Sequence, residues 1–192
     1  MSTTSAPHPA RIAATLRTLY AVRFVFQLVW ALVLILTASA GLGPVSVTLL
    51  LLYPLFDVVA AIVDHRASRG TGPSPLLSVN MGLSLLAAIG LVFAVASGIP
   101  AVMVVWGLWA ITAGAVQLVV ALRRRRLGGQ WPMILSGGIS VLAGVGFLAG
   151  SANSESVAGV GGYAILGAVF FLVSAIRLQR AAKLASAGAE RA

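Results

Sequence analysis

The side chains that could do chemistry in this chain are few, because 59% of its residues are hydrophobic and only 9% are charged. Arg23 lies about two helical turns inside one long apolar stretch, and Asp57 lies about two turns from the end of the next. An ionisable group in hydrocarbon costs about 2.5–3.5 kcal/mol on insertion scales, so such residues are the first place to look for function. If the two stretches are antiparallel helices that turn near Leu42, Asp57 falls nearly opposite Gln27 and within one turn of Arg23, which predicts an intramembrane ion pair. By the same depth argument Asn80, Gln117 and Ser136 come close to the same ends of their helices. A polar cluster of Arg23, Gln27, Asp57, Asn80 and Gln117 is therefore expected in one half of a bundle. It has two readings. It is either a small cavity that binds a proton or a polar solute, with Asp57 as the titrating group, or a closed ion pair with amide partners that fixes helix register. The structural version is favoured, since an internal repeat puts Ala113 and Gly167 at the Asp57 position and a proton relay needs more carboxylates.

Other chemistry is thin. The chain has no cysteine, which excludes disulfides, thiolate catalysis, iron–sulfur clusters and cysteine-ligated zinc. His8 and His65 are the only imidazoles. Nothing pairs a nucleophile with a base or spaces metal ligands, and Gly159-Val-Gly-Gly162 follows no strand and reads as helix packing rather than a phosphate loop. No catalytic residue, metal or cofactor is expected, and an enzyme is the least favoured class. Asp64 and His65 fall at the expected lipid–water boundary, where they can stay hydrated. Trp30, Trp106, Trp109, Trp131, Tyr20, Tyr53 and Tyr163 read partly as interfacial belt residues.

These residues need membrane helices to position them. Crossing about 30 Å of hydrocarbon takes roughly 20 apolar residues, and the chain offers six such spans, at about residues 18–40, 45–65, 76–97, 100–122, 132–150 and 157–177. Residues 1–17 are polar, and the first span is too long for a signal-peptide core, so it is expected to be retained. The net charge of +9 does not point to nucleic acid, because the basic residues sit at helix ends. Arg11 and Arg17 precede the first span, Arg66 and Arg69 follow the second, and Arg123, Arg124, Arg125 and Arg126 follow the fourth. Arg177, Arg180, Lys183 and Arg191 follow the sixth. The opposite loops, 41–43, 97–99 and 151–156, carry no Lys or Arg. This asymmetry predicts an all-α polytopic membrane protein with N-in, C-in topology: a cytoplasmic segment 1–17, a six-helix domain 18–178 and a cytoplasmic tail 179–192. The arginine run reads first as a topology anchor and second as a contact for anionic lipid headgroups, each cation near such a leaflet contributing about 1 kcal/mol.

The six spans group as three helical hairpins that look alike. Asn80-Met-Gly-Leu-Ser-Leu-Leu-Ala-Ala-Ile-Gly90 runs parallel to Ser136-Gly-Gly-Ile-Ser-Val-Leu-Ala-Gly-Val-Gly146. The helices that follow match as Trp109-Ala-Ile-Thr-Ala-Gly-Ala-Val-Gln-Leu and Tyr163-Ala-Ile-Leu-Gly-Ala-Val-Phe-Phe-Leu, with Tyr53-Pro-Leu-Phe-Asp57 as a looser third copy. All three hairpins enter and leave on one face, so they are parallel repeats around an axis near the membrane normal. Small residues at Ser136, Ser140 and Gly144, at Gly146 and Gly150, and at Ala110 and Gly114 form ridges that let helices approach closely. The first hairpin has Phe26 and Leu34 where the later ones have glycine, so it must pack differently.

The third to sixth spans, with Trp109-Ala-Ile-Thr-Ala-Gly-Ala-Val-Gln-Leu, the arginine-rich turn, Gly129-Gln-Trp-Pro-Met-Ile-Leu-Ser-Gly-Gly-Ile-Ser and the Tyr163 to Arg177 helix, resemble the HdeD-like acid-resistance membrane proteins. The resemblance covers about residues 76–178. It implies a small six-span protein of the bacterial inner membrane that serves in acid stress. It carries over no functional residue and gives the Arg23–Asp57 pair no support. Two functions follow as expectations. The first is a non-enzymatic stress protein that acts through membrane lipids, its own oligomer or a membrane protein partner. The alternative is a small transporter or channel for protons or a polar solute, for which the nearly apolar far halves of the spans argue against a constitutive pore.

Overall fold

Every backbone amide in hydrocarbon must be satisfied within the protein, and a chain this apolar does so by coiling into helices. The computed structural model describes residues 9–68, 74–127 and 130–189. His8, Arg69, Gly129 and Arg191 lie outside the described residues, as does the side chain of Arg11. The helices are α1 (Pro9–Thr37), α2 (Pro44–Ala67), α3 (Ser74–Ser97), α4 (Ile99–Arg123), α5 (Trp131–Gly150) and α6 (Ala158–Ala189). There is no strand among the described residues. All six helices are long and apolar enough to cross a membrane, and the protein is an integral, multi-pass membrane protein.

Each expected span overlies one helix, but α1 and α6 run further than expected at the arginine end. The reason is an apolar stripe that begins inside the polar N-terminal run: Ile12 and Leu16, continued by Leu19 and Tyr20 of the expected span, are buried against Phe171, Ala175 and Leu178 of α6. Proline at the first or second position starts α2, α4 and α5, where its missing N–H has no helical partner to lose. Gly98, at φ 95°, makes the one-residue turn between α3 and α4 that an L side chain would strain.

The six helices close into a ring in chain order, with α1 against α6. The most intimate contacts run between the expected hairpins, not within them. On α4 and α5, Gly107 faces Gly144 and Gly114 faces Gly137 and Ser140, so closely that an added Cβ would meet backbone or side-chain atoms at 2.6–2.8 Å. Gly161 of α6 likewise admits Ile35 of α1. The first hairpin does pack differently, by stacking Phe26 on Phe56 with ring centroids 3.7 Å apart. The expectation for Gly146 and Gly150 fails: a Cβ at either would meet nothing within 4 Å, as at Gly82 and Gly138, so these glycines pack nothing in this chain.

The aromatic belt is also corrected. Trp30, Tyr53, Trp106 and Trp109 are buried, and their rings stack edge to face across the middle of the bundle. Trp131, at the start of α5, is exposed as a belt residue would be. Around the buried rings, Leu34, Leu50, Leu91, Val102, Val157, Val160 and Ala164 fill the half of the bundle away from the arginines.

The close α4–α5 approach predicts a position-specific penalty. Gly137→Ala, whose Cβ would meet the backbone of Leu118 and Gly114, is expected to cost about 1–3 kcal/mol. Gly138→Ala, next in sequence and facing outward, is expected to leave stability unchanged. Thermal unfolding of both variants in the same detergent checks the difference.

Candidate functional site

The predicted ion pair exists. Nη2 of Arg23 on α1 donates to Oδ1 of Asp57 on α2 at 2.7 Å, with both side chains nearly buried. Antiparallel α1 and α2 put the two at the same depth, and the Arg23 guanidinium lies over the Phe171 ring of α6 at 5.1 Å. The other oxygen of Asp57 is held by α3, accepting from Nδ2 of Asn80 at 2.6 Å and from the hydroxyl of Ser84 at 2.8 Å. Ser84 in turn accepts from Nε1 of Trp109 on α4 at 3.0 Å. One carboxylate thus ties four helices together.

Pro54 sits one turn before Asp57 and cannot hydrogen-bond back to Leu50. In the same turn the carbonyl of Leu49 accepts from Nε1 of Trp30 at 2.7 Å, a second link from α1 to α2.

The repeat organises what surrounds the pair. Tyr53, Trp109 and Tyr163 are matching positions on α2, α4 and α6, and all three line one central cavity of about 110 Å³. The next matching set, Asp57, Ala113 and Gly167, lines it as well, and so does the following one, Ala61, Gln117 and Phe171. The supporting bonds repeat too. Trp109 donates to Ser84, and Tyr163 donates to Ser140 at 2.8 Å, with the two serines at matching positions of α3 and α5. The first repeat has no such serine, and it alone supplies the carboxylate.

Not every expected member joins the network. Gln27 is on the cavity wall, but its Oε1 is buried without a hydrogen bond and lies about 3.0 Å from where a Cβ on Gly167 would be, so it packs against α6 rather than Asp57. Gln117 is also on the wall, and its Nε2 donates to the carbonyl of Met133 at 3.3 Å, not to the ion pair. Ser136 lines the cavity as the depth argument placed it.

Asp64 is the main correction at this end. It is buried, not hydrated, and makes a two-pronged bridge to Arg124, with both N–O distances 2.7 Å. Arg124 also donates to Ser68 at 2.7 Å, and Ser68 bonds Asp64 at 3.1 Å. Arg124 is therefore neither a lipid contact nor a topology anchor in the solvated sense, whereas Arg123, Arg125 and Arg126 are exposed and free to meet headgroups. Burial works against the Arg124 charge, but the hydrogen bonds and negative charge of Asp64 outweigh it and hold the guanidinium pKa above its ordinary value. The bridge spans from the end of α2 to the end of α4 and borders the cavity beside Tyr20 and Gln130. Ser84, Tyr53, Trp109, Tyr163 and Ser68 went unpredicted as site residues, and Arg124 was expected at lipid headgroups rather than at Asp64, although the repeat alignment already placed the three aromatics in register.

The comparisons identify no relative: no protein-family model matches the chain, and neither the curated proteins nor the solved structures contain a match.

Removing one partner of a buried ion pair strands the other. Arg124→Gln is expected to destabilise the protein by about 3–5 kcal/mol. The double variant Asp64→Asn with Arg124→Gln is expected to lose less than the two single losses added together. A double-mutant cycle by thermal unfolding in detergent measures the coupling.

Proposed function

We propose that the protein is a membrane carrier that takes a small polar solute into the central cavity from the arginine end. The observation that supports this reading is a cavity in the middle of a membrane bundle, walled by all six helices and lined by polar side chains with hydrogen-bonding capacity left over. Polar groups inside a bilayer are expensive to keep, and they favour the bundle interior or a wet cavity. Arg23, Asn80, Gln117 and Ser136 go beyond what fixing the register of two helices requires.

The cavity is asymmetric. Toward the arginine end it is bordered by Arg124, Asp64, Tyr20 and Gln130, groups that tolerate water. Toward the other end it meets Tyr53, Trp109 and Tyr163, and beyond them the apolar cluster around Trp30, Trp106 and Leu50. A site bordered by polar groups on one side and by packed rings on the other suits an alternating-access cycle, in which a substrate site stays fixed while closure moves. Opening the far end would require the aromatic layer to part.

This reverses the order in which the sequence ranked the two functions. A stress role in a bacterial inner membrane, with the arginine end in the cytoplasm, draws its support from the resemblance to HdeD-like proteins and from loop charge. The cavity adds nothing to acid resistance as such, and a stress-linked carrier would satisfy both lines of support.

The absence of cysteine makes each introduced cysteine a unique reporter. In sealed vesicles, Ala113→Cys and Ser136→Cys on the cavity wall are expected to react with a small water-soluble thiol reagent. Leu142→Cys, on the outer surface of α5, is expected to stay unreactive with it. Wall positions no more reactive than Leu142→Cys would sink the carrier reading.

A further inference from the structure

The charges on the cavity wall specify the solute. Among the described residues, four with a formal charge line it: Arg23 and Arg124 are positive, Asp57 and Asp64 negative. They sum to zero, and each cation is already in direct contact with an anion at 2.7 Å. An ion entering this space would give up its hydration and find no uncompensated counter-charge. An uncharged molecule meets no such penalty and needs hydrogen-bond partners only.

Those partners are present in both senses. Arg23 bonds Asp57 through Nη2, and its remaining N–H groups can donate. Gln117 uses Nε2 on Met133, which leaves its Oε1 to accept. The hydroxyls of Tyr53 and Ser136, which can do either, line the cavity without a hydrogen bond among the described residues. The rings of Tyr53, Trp109 and Tyr163 offer flat apolar surface at one end. A volume of about 110 Å³ is smaller than the 150 Å³ engineered cavity that holds benzene, and suits a solute of roughly four or five non-hydrogen atoms.

Building on the carrier reading, we infer that the substrate is a small uncharged molecule that both donates and accepts hydrogen bonds, of the class of ureas, short amides or short polyols. Ions of the same size are excluded because the wall is electrically neutral, not because they are too large.

The test uses osmotic swelling of proteoliposomes that hold the full chain, against urea, acetamide, ethylene glycol, acetate, guanidinium and methylammonium. Wild type is expected to pass at least one of the three neutral solutes at least roughly tenfold faster than the ions. Asp57→Asn leaves Arg23 without its counter-charge and makes the wall net positive, so acetate entry is expected to rise and the neutral-to-acetate ratio to fall by about tenfold. Should Asp57→Asn fail to fold, Ala113→Asp places a negative charge at the matching repeat position, and guanidinium and methylammonium entry is expected to rise instead. Ions passing wild type faster than neutral solutes, a proton current, or no swelling with any of the six overturns the neutral class. Selectivity that ignores both charge changes overturns it as well. These outcomes leave the carrier standing when the wall cysteines react, and an unreactive wall removes the carrier first.

Discussion

A carboxylate inside a lipid-embedded bundle is costly unless it is paired and hydrogen-bonded, and the arrangement of this protein follows from how Asp57 is satisfied. It accepts from Arg23 on α1 and from Asn80 and Ser84 on α3, and Ser84 carries the chain on to Trp109 on α4. Hydrogen bonds between membrane helices average only about 0.6 kcal/mol by double-mutant cycles. The network therefore does little by attraction. Its force is negative: any arrangement of α1 to α4 that leaves Asp57 or Arg23 without the other exposes a charge to hydrocarbon, and such arrangements are ruled out. Specificity of assembly comes from that exclusion, while cohesion comes from the glycine contact of α4 with α5 and the Leu16, Phe171 and Leu178 packing of α1 with α6.

The repeat explains why a cavity exists where that network sits. Three copies of a helix present large rings at one level, Tyr53, Trp109 and Tyr163, and in two copies the residue one turn on is Ala113 or Gly167. Small residues at a ring's inner level leave space that large ones would fill. Had all three copies carried a carboxylate there, mutual repulsion would have needed three cations or three protons in hydrocarbon. The single Asp57, matched by one arginine, lets the space remain polar without remaining charged.

How much of this could be read from the sequence depends on the separation of the partners. Arg23 and Asp57 were within reach of simple reasoning, because consecutive antiparallel helices equate depth with distance from the turn. The same logic placed Asn80, Gln117 and Ser136 on the cavity wall but could not say which way an amide points, so Gln27 and Gln117 were assigned to a network they do not join. Arg124 escaped because it sits among four arginines that look equally solvated. The rotation of α4 turns that one toward Asp64, and rotation about a helix axis is set by packing between α4 and α5 that composition does not disclose. The tryptophans misled for a related reason. In a membrane chain Trp marks either the interface or a crowded core, and only the ring of six helices shows that Trp30, Trp106 and Trp109 face inward.

A structural role for the polar cluster and a functional one are usually set against each other, and here they converge. An ion pair that only fixed register would be best closed off on every side, as Asp64 and Arg124 nearly are, with Ser68 taking part of the remaining capacity. The Arg23–Asp57 pair is closed on the Asp57 side and less so on the Arg23 side, whose contacts among the described residues are a single hydrogen-bonded nitrogen and the face of Phe171. The carboxylate is the satisfied anchor, and the guanidinium borders the cavity. Such an arrangement holds a donor in place without letting its charge act on what enters, because Asp57 cancels the field at the distance of a hydrogen bond. A wall built this way can bind by hydrogen bonding alone, which is how a bundle with charged residues at its centre comes to favour solutes that have no charge.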